Sequence, residues 1–381
     1  MNYLQYINSV YQSTQNNTDL RYLVSGVDFH VRQVLGQYIL NGIFDRKKIL
    51  FILDNTQNSR KFANWGRFKV MNPLDGEVDL CPDLFDLSSV REISRFRSLL
   101  AELGFDGTKS MKVISYLSFV KETEYRLGNT GPLSIKTLEE YGGTALVKWK
   151  LHQLVEKGML SAESYEYLLT RYSEVSSAAA DFEMFLVLLS PCTGSGIIPY
   201  TGSAVHLTIG EFASDHPMQE VLCRLMLFFI KKHPEDCAVV ILDDGKGDHS
   251  CMMGAIRNLP SGTDVHMFTA DAFSLDAKDL NVLMNIFPVR IYSRHSSMDS
   301  CSRIEACCGH MEVVKRSYST AIDKRIRAST AFDLLFGTNR TETEIRNAPV
   351  QQPRYPKETI NSMCPGTAII DCGGTQSLFQ F

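Results

Sequence analysis

Short apolar runs separated by polar residues open the chain. Arg21 to Ser25 reads as a short strand, Val31, Val34, Leu35, Tyr38 and Ile39 recur at helical spacing, and Ile49 to Leu53 forms a second buried run ending at Asp54. Phe68 to Met71 is a further strand running into Asn72-Pro73. From about Leu87 to Leu189 the period changes to helical. A Ser89-x-x-Glu92 capping box opens the first helix and Gly104 closes it; a second covers Thr108 to Leu127. A third carries Val147, Leu151, Leu154 and Val155 on one face, and a Ser161 cap opens the last, which runs toward Leu189 and breaks at Pro191. Strands return at Val205 to Ile209, Ala238 to Leu242, Val265 to Phe268 and Val289 to Tyr292, with a helix opening near Asp215 and Pro217. A last strand, Thr367 to Asp371, follows the Pro-bearing segment QQPRYP. The pattern predicts an α/β sheet built from residues 1–86 and 191–381, interrupted by an all-α insertion over 87–190, with no internal repeat.

Composition narrows the function classes. The 381 residues are 44% hydrophobic and 22% charged, with a net charge of −4, which excludes a surface that coats nucleic acid generally. No run approaches the roughly 18 apolar residues of a membrane span, and MNYLQYINSV lacks the charged start and apolar stretch of a signal peptide. Ten cysteines without an export signal predict reduced thiols in a cytoplasmic protein.

The first strand and helix flank GVDFHVRQ, Gly26 to Gln33, where the pattern G-x-x-x-x-G-K-[ST] would make a phosphate-binding loop. In such a loop small residues let backbone N–H groups wrap phosphates, and Lys reaches the terminal ones. Here Val31 stands at the second glycine, Arg32 at the lysine and Gln33 at the magnesium-binding hydroxyl. A β-branched side chain crowds the turn, and a Gln amide is a poor Mg²⁺ ligand. An ordinary strand-turn-helix explains the same residues. At the other end of the sheet pattern, the run Ala238 to Leu242 ends in Asp243-Asp244. A P-loop ATPase holds Mg²⁺ through an Asp placed there and orients water with a following Glu, whereas Asp244 is one methylene shorter. An Asp-Asp-Gly turn without metal fits equally well.

The order of these elements resembles the conjugative type IV coupling proteins, TraG- and TraD-like motor ATPases related to the FtsK and HerA DNA pumps. FILDNTQNSRKFANWGRFKVMNP resembles the family's strand-Asp segment and hairpin, AVVILDD its Walker B strand, TDVHMFTADAFSLDAKDLNVLMNIFPVRIYSRHSSMDS its sensor strand and the segment after it, and NSMCPGTAII its closing strand. The resemblance spans nearly the whole chain. It implies a RecA-like P-loop NTPase sheet flanked by helices, with ATP and Mg²⁺ as cofactors in an intact member. It also implies that the sensor glutamine falls on Thr269 or Ala270, neither of which orients water in the same way. With Gly26, Arg32 and Gln33 as a vestigial cofactor loop and Asp243, Asp244 and Thr269 as vestigial catalytic positions, the expectation is a pseudo-ATPase without bound cofactor. The alternative is an active DNA-translocating ATPase in which Arg32 binds phosphate and Asp243 holds Mg²⁺.

By the same resemblance Arg290 and Arg294 approach a neighbouring subunit's nucleotide and are candidates for acting in trans, against the plainer reading of strand-edge arginines in ion pairs. The partners it implies are an intact coupling ATPase or a relaxosome or secretion component, met through the helical insertion, and a site peripheral to an inner-membrane secretion complex. Lys315, Arg316, Lys324, Arg325 and Arg327 form a basic cluster suited either to a nucleic-acid backbone or to a solvated helix face. Cys301, Cys307, Cys308 and His310 have poor spacing for zinc, so buried thiols are expected and no metal.

Overall fold

The computed structural model describes residues 20–44, 47–54, 69–71, 73, 89–130, 133, 135–141, 144–189, 203–208, 216–243, 250–322, 341–372 and 374–381. Its centre is a nine-stranded sheet with the order β11-β10-β7-β1-β6-β5-β2-β4-β3. The strands are β1 (Arg21–Ser25), β2 (Ile49–Asp54), β3 (Lys69–Met71), β4 (Ser203–Thr208), β5 (Cys237–Asp243), β6 (Asp264–Thr269), β7 (Val289–Tyr292), β10 (Thr367–Cys372) and β11 (Thr375–Gln380). From β3 to β7 every pairing is parallel; β10 and β11 are antiparallel at one edge. The crossover from β1 to β2 skips the positions later filled by β6 and β5, which gives the RecA-like order with the first strand between β7 and β6.

Both faces of the sheet are covered, and the strand sequences show it. β5 is apolar almost throughout because alternate residues serve two cores. Ala238, Val240 and Leu242 meet α1 (Phe29–Phe44), whose Val31, Leu35, Ile39, Leu40 and Ile43 lie on its inner face. Each such buried side chain contributes about 1.5–3 kcal/mol. Val239 and Ile241 face the opposite side, against α8 (His216–Lys232) and the helices beyond it.

The insertion is a bundle of α2 (Val90–Glu102), α3 (Gly107–Arg126), α4 (Ile135–Glu139), α5 (Thr144–Glu156), α6 (Ala162–Val175) and α7 (Ala179–Leu189). Ser89 accepts from Glu92 N at 3.2 Å and Ser161 from Ser164 N at 3.1 Å, as the capping patterns predict. The last helix of the pattern divides at a 3₁₀ turn, Ser176–Ala178, and α4 has no counterpart in the sequence pattern. Tyr116 stacks on Phe182 at 4.5 Å in the bundle centre. Beside it the buried Glu124 accepts from Tyr141 Oη and, at 2.6 Å, from Asn129 Nδ2, with Lys150 Nζ at 3.4 Å. One continuous apolar cluster runs from Phe96 and Phe185 through Leu222 and Met226 of α8 to the sheet. Bundle and sheet therefore share a core.

Two expectations are corrected. The segment expected as a helix face with basic residues is strand β8 (His310–Ile322), which follows α11 (Met298–Cys308) and pairs with β9 (Thr341–Pro353) in a separate two-stranded ribbon. The register sets Lys315 opposite Ala348 and Arg316 opposite Asn347; their β-branched and aromatic neighbours Val313, Val314 and Tyr318 favour strand. Lys324, Arg325 and Arg327 lie outside the described residues. The strand expected to close the sheet is not the last, because β11 folds back on it. The hairpin expected after Asp54 and the break at Pro191 also lie outside the described residues.

Candidate functional site

The carboxyl ends of β1, β6 and β5 lie side by side, which is where open α/β sheets bind ligands. They bring together Gly26, Thr269 and Asp243, as the sequence predicts. The connection after β1 is shorter than a phosphate-binding loop. α1 starts at Phe29, so only Val27 and Asp28 separate Gly26 from the helix. Val31 is consequently not in the turn: it sits in the first turn of α1, fully buried against Val24 and Leu35.

The backbone groups that a phosphate would need are engaged within the chain. Gly26 N donates to Thr269 O at 3.1 Å and Val27 N to Arg294 O at 2.9 Å. Asp28 caps α1: its Oδ1 accepts from His30 N at 2.9 Å and Val31 N at 3.1 Å, while its carbonyl accepts from Arg32 N at 3.2 Å. Its Oδ2 accepts from Gly366 N at 2.8 Å. A carboxylate thus stands at the positive end of the helix, where a phosphate would otherwise be drawn.

Gly26 itself is required by the sheet. Its φ is +132°, and a Cβ there would fall 2.1 Å from Ser293 Oγ and 3.0 Å from the backbone of Ser293 and Arg294. The glycine allows the turn to close on the end of β7, a role that needs no ligand.

Asp243 is buried and its Oδ2 accepts from Thr269 Oγ1 at 2.8 Å. Thr269 Oγ1 in turn accepts from Asp271 N at 3.3 Å, and Asp271 Oδ2 accepts from Ser300 Oγ at 2.5 Å. The Thr269 hydroxyl is thereby turned onto the strand-end carboxylate. Arg32 Nη2 lies 3.4 Å from the carbonyl oxygen of Asp243, so this side chain reaches toward the end of β5; Gln33 is half-buried on the same turn of α1. Asp244 lies outside the described residues.

A buried histidine completes the floor. His295 Nδ1 is 2.8 Å from Ser293 O, which can only accept, so Nδ1 carries the proton and Nε2, 2.9 Å away, accepts from Ser25 Oγ. Ser25 Oγ also accepts from Ala272 N at 3.0 Å. Burial holds the imidazole pKa below its ordinary value, opposed by the Ser293 carbonyl and Asp271 and assisted by Arg32. His295 and Asp28 were not visible as site residues: a lone histidine has no local signature, and Asp28 reads as a helix cap only once α1 is known to begin at Phe29.

The two candidate arginines differ. Arg290 is held within its own chain: Nε donates to Phe287 O at 3.0 Å, Nη2 to Met284 O at 2.8 Å and Nη1 to Asp371 Oδ2 at 2.9 Å. Arg294 is exposed beside the turn, and nothing among the described residues accepts from its guanidinium. Cys301 and Cys308 are buried and Cys307 is exposed; burial pushes the Cys308 thiol up to about 12. Among the described residues no group of three or more His, Cys, Asp or Glu could hold a metal ion, and no helix is long and apolar enough to cross a membrane.

Neither a family model nor a curated protein matches the chain. Among solved structures it is similar to the bacterial conjugative coupling protein TrwBΔN70, at 13% identity over 97% of this chain and 90% of that one, with a TM-score of 0.46. TrwB in complex with ADP and Mg²⁺ gives 13% identity over the same shares and a TM-score of 0.44. VirB4 of Thermoanaerobacter pseudethanolicus gives 9% over 96% and 90%, with a TM-score of 0.47. The strand order, not these scores, carries the RecA-like assignment.

Proposed function

We propose that this chain is a catalytically degenerate, coupling-protein-like subunit that serves as an interaction scaffold in DNA conjugation or type IV secretion. The observation that carries the degenerate reading is the Asp28 carboxylate on the N-terminus of α1, behind a turn of only Val27 and Asp28. The residues present do not fit ATP and Mg²⁺. The Asp28 charge at the helix end repels the phosphates that the dipole would attract, and the turn's donors are engaged with Thr269 O and Arg294 O. Thr269 turned onto Asp243 supports the same reading, since a threonine bonded to the strand-end carboxylate is not placed to orient a water.

The sequence stretches resembling coupling proteins support a scaffold of conjugation or secretion that works in the cytoplasm beside an inner-membrane complex. Its partners would be an intact coupling ATPase or a relaxosome or secretion component. The bundle supplies a surface for them: Tyr125, Trp149 and Tyr167 are exposed while Tyr116 and Phe119 are core. Of the arginines, Arg294 is the one free to act on a neighbour; Arg290 is committed to Asp371 and β7. Steady-state ATP hydrolysis tests the degenerate reading. Turnover at background is expected, and turnover that Asp243→Ala abolishes would overturn it.

A further inference from the structure

Away from the strand ends, a second concavity lies in the seam where the bundle meets the sheet. α2 and α8 run antiparallel there: Arg224 Nη1 lies 3.9 Å from Glu102 Oε2 at one end, and Lys232 Nζ lies 3.1 Å from Glu92 Oε2 at the other. Between the two helices is a pocket of about 160 Å³. Its floor is the buried Leu99 and the half-buried Phe228, and the exposed Ser98 forms part of the α2 wall. Arg95 and Glu102 on one helix, and Arg224 and Lys231 on the other, stand about two helical turns apart, so the slot is about 10 Å long.

The two ends differ in charge. At one end Arg95 and Lys231 line the slot beside Lys232, whose ammonium sits over the Phe228 ring at 5.2 Å, and the single carboxylate of Glu92 opposes them. At the other end Arg224 faces two carboxylates, Glu102 and Glu220. The slot is therefore positive at the Arg95 end and negative at the Glu102 end. Donors remain at the positive end: the bond from Arg95 to Glu92 uses Nη1, and Lys231 is exposed with no ion-pair partner among the described residues. We propose that this pocket binds a monoanion that carries a carboxylate on a benzene-sized apolar body, either a free arylalkyl acid or the carboxyl-terminal residue of a polypeptide. Volume sets the body, since a cavity of roughly 150 Å³ accommodates benzene. Charge sets the head. A guanidinium fork and an ammonium on facing helices match one carboxylate, and the acidic far end repels a second. Such a ligand touches α2 and α8 together and so ties the bundle to the sheet. The inference is independent of whether the cleft binds nucleotide.

The test is calorimetric titration of the full chain with hydrocinnamate, with its amide and with a short peptide ending in phenylalanine. The acid is expected to bind at one site per chain with a Kd on the order of a millimolar, and the uncharged amide at least about tenfold more weakly. Arg95→Met and Lys231→Met keep aliphatic stems and should each weaken the acid several-fold. Ser98→Trp, at an exposed position, fills the slot and should abolish binding. A peptide that binds more tightly than the acid supports the site and assigns it to a polypeptide terminus; a peptide that binds more weakly supports it and assigns it to a free acid. No saturable heat from acid or peptide would overturn the proposal. So would equal binding of acid and amide, or binding unchanged in both Lys231→Met and Ser98→Trp. Should Ser98→Trp fail to fold, Lys231→Met alone decides.

Discussion

The carboxylate of Asp28 joins the first helix to the edge of the sheet, accepting from Gly366 N across a separation of 338 residues while its other oxygen caps α1. Asp28→Ala removes both functions. The cap accounts for about 1 kcal/mol and the stranded Gly366 N–H for about 1–3 kcal/mol more. Thermal unfolding should show a fall in Tm, with Asp28→Asn recovering part of it because an amide oxygen still caps. An alanine variant as stable as the wild type would mean the clasp carries no energy.

Gly26→Ala should be among the most disruptive small substitutions in the chain, because φ of +132° and a contact of 2.1 Å to Ser293 Oγ act together. A loss above about 2 kcal/mol is expected. Ser293→Ala in the same background should restore only part, since the backbone contacts at 3.0 Å persist. A double-mutant cycle in urea measures this; full rescue would place the strain in the hydroxyl alone.

Acid should destabilise the protein in two windows. His295 has a folded pKa below its usual 6.5, so the unfolded chain takes up a proton first, and stability present above pH 6.5 declines as pH falls through the folded value. Glu124 is also depressed. Burial raises its pKa, but hydrogen bonds from Tyr141 and Asn129 and the Lys150 charge outweigh that and bring it below 4.5. Its contribution is present above pH 4.5 and declines below it. Urea denaturation against pH should lose the upper window in His295→Gln and the lower in Glu124→Gln. A His295→Gln profile parallel to wild type would contradict the first assignment.

The bundle offers a contrast between core and surface aromatics. Tyr116→Ala should cost about 3–5 kcal/mol, while Trp149→Ala, at a 61% exposed position, should stay within about 0.5 kcal/mol. If the bundle is the recognition surface, Trp149→Ala still weakens capture of an intact coupling ATPase in a binding assay. A tryptophan variant that folds and binds like wild type would move the surface elsewhere.

The sheet was legible because its strands follow simple rules. β5 reads as Ala238 to Leu242 since it is buried on both faces, and the capped ends of α2 and α6 announce themselves at Ser89 and Ser161. The ribbon was not legible. Lys315, Arg316 and Ser317 interrupt any apolar alternation, and pairing to a strand beyond residue 340 leaves no local trace. The site was half legible: Gly26, Asp243 and Thr269 are brought together as expected, but the length of the turn was misjudged by assigning Val31 to it. The Asp28 cap that accompanies the helix start at Phe29 is also tied to Gly366 N, a tertiary bond that no window of sequence contains.

Titration of Mg²⁺–ATP into the wild-type protein by calorimetry, beside Asp28→Ser, bears most directly on the central claim. The wild type is expected to show no saturable heat at ATP concentrations that fill a working P-loop site. Saturable binding with one site per chain, weakened by Arg32→Ala and Asp243→Ala, would contradict a cleft occupied by its own carboxylate.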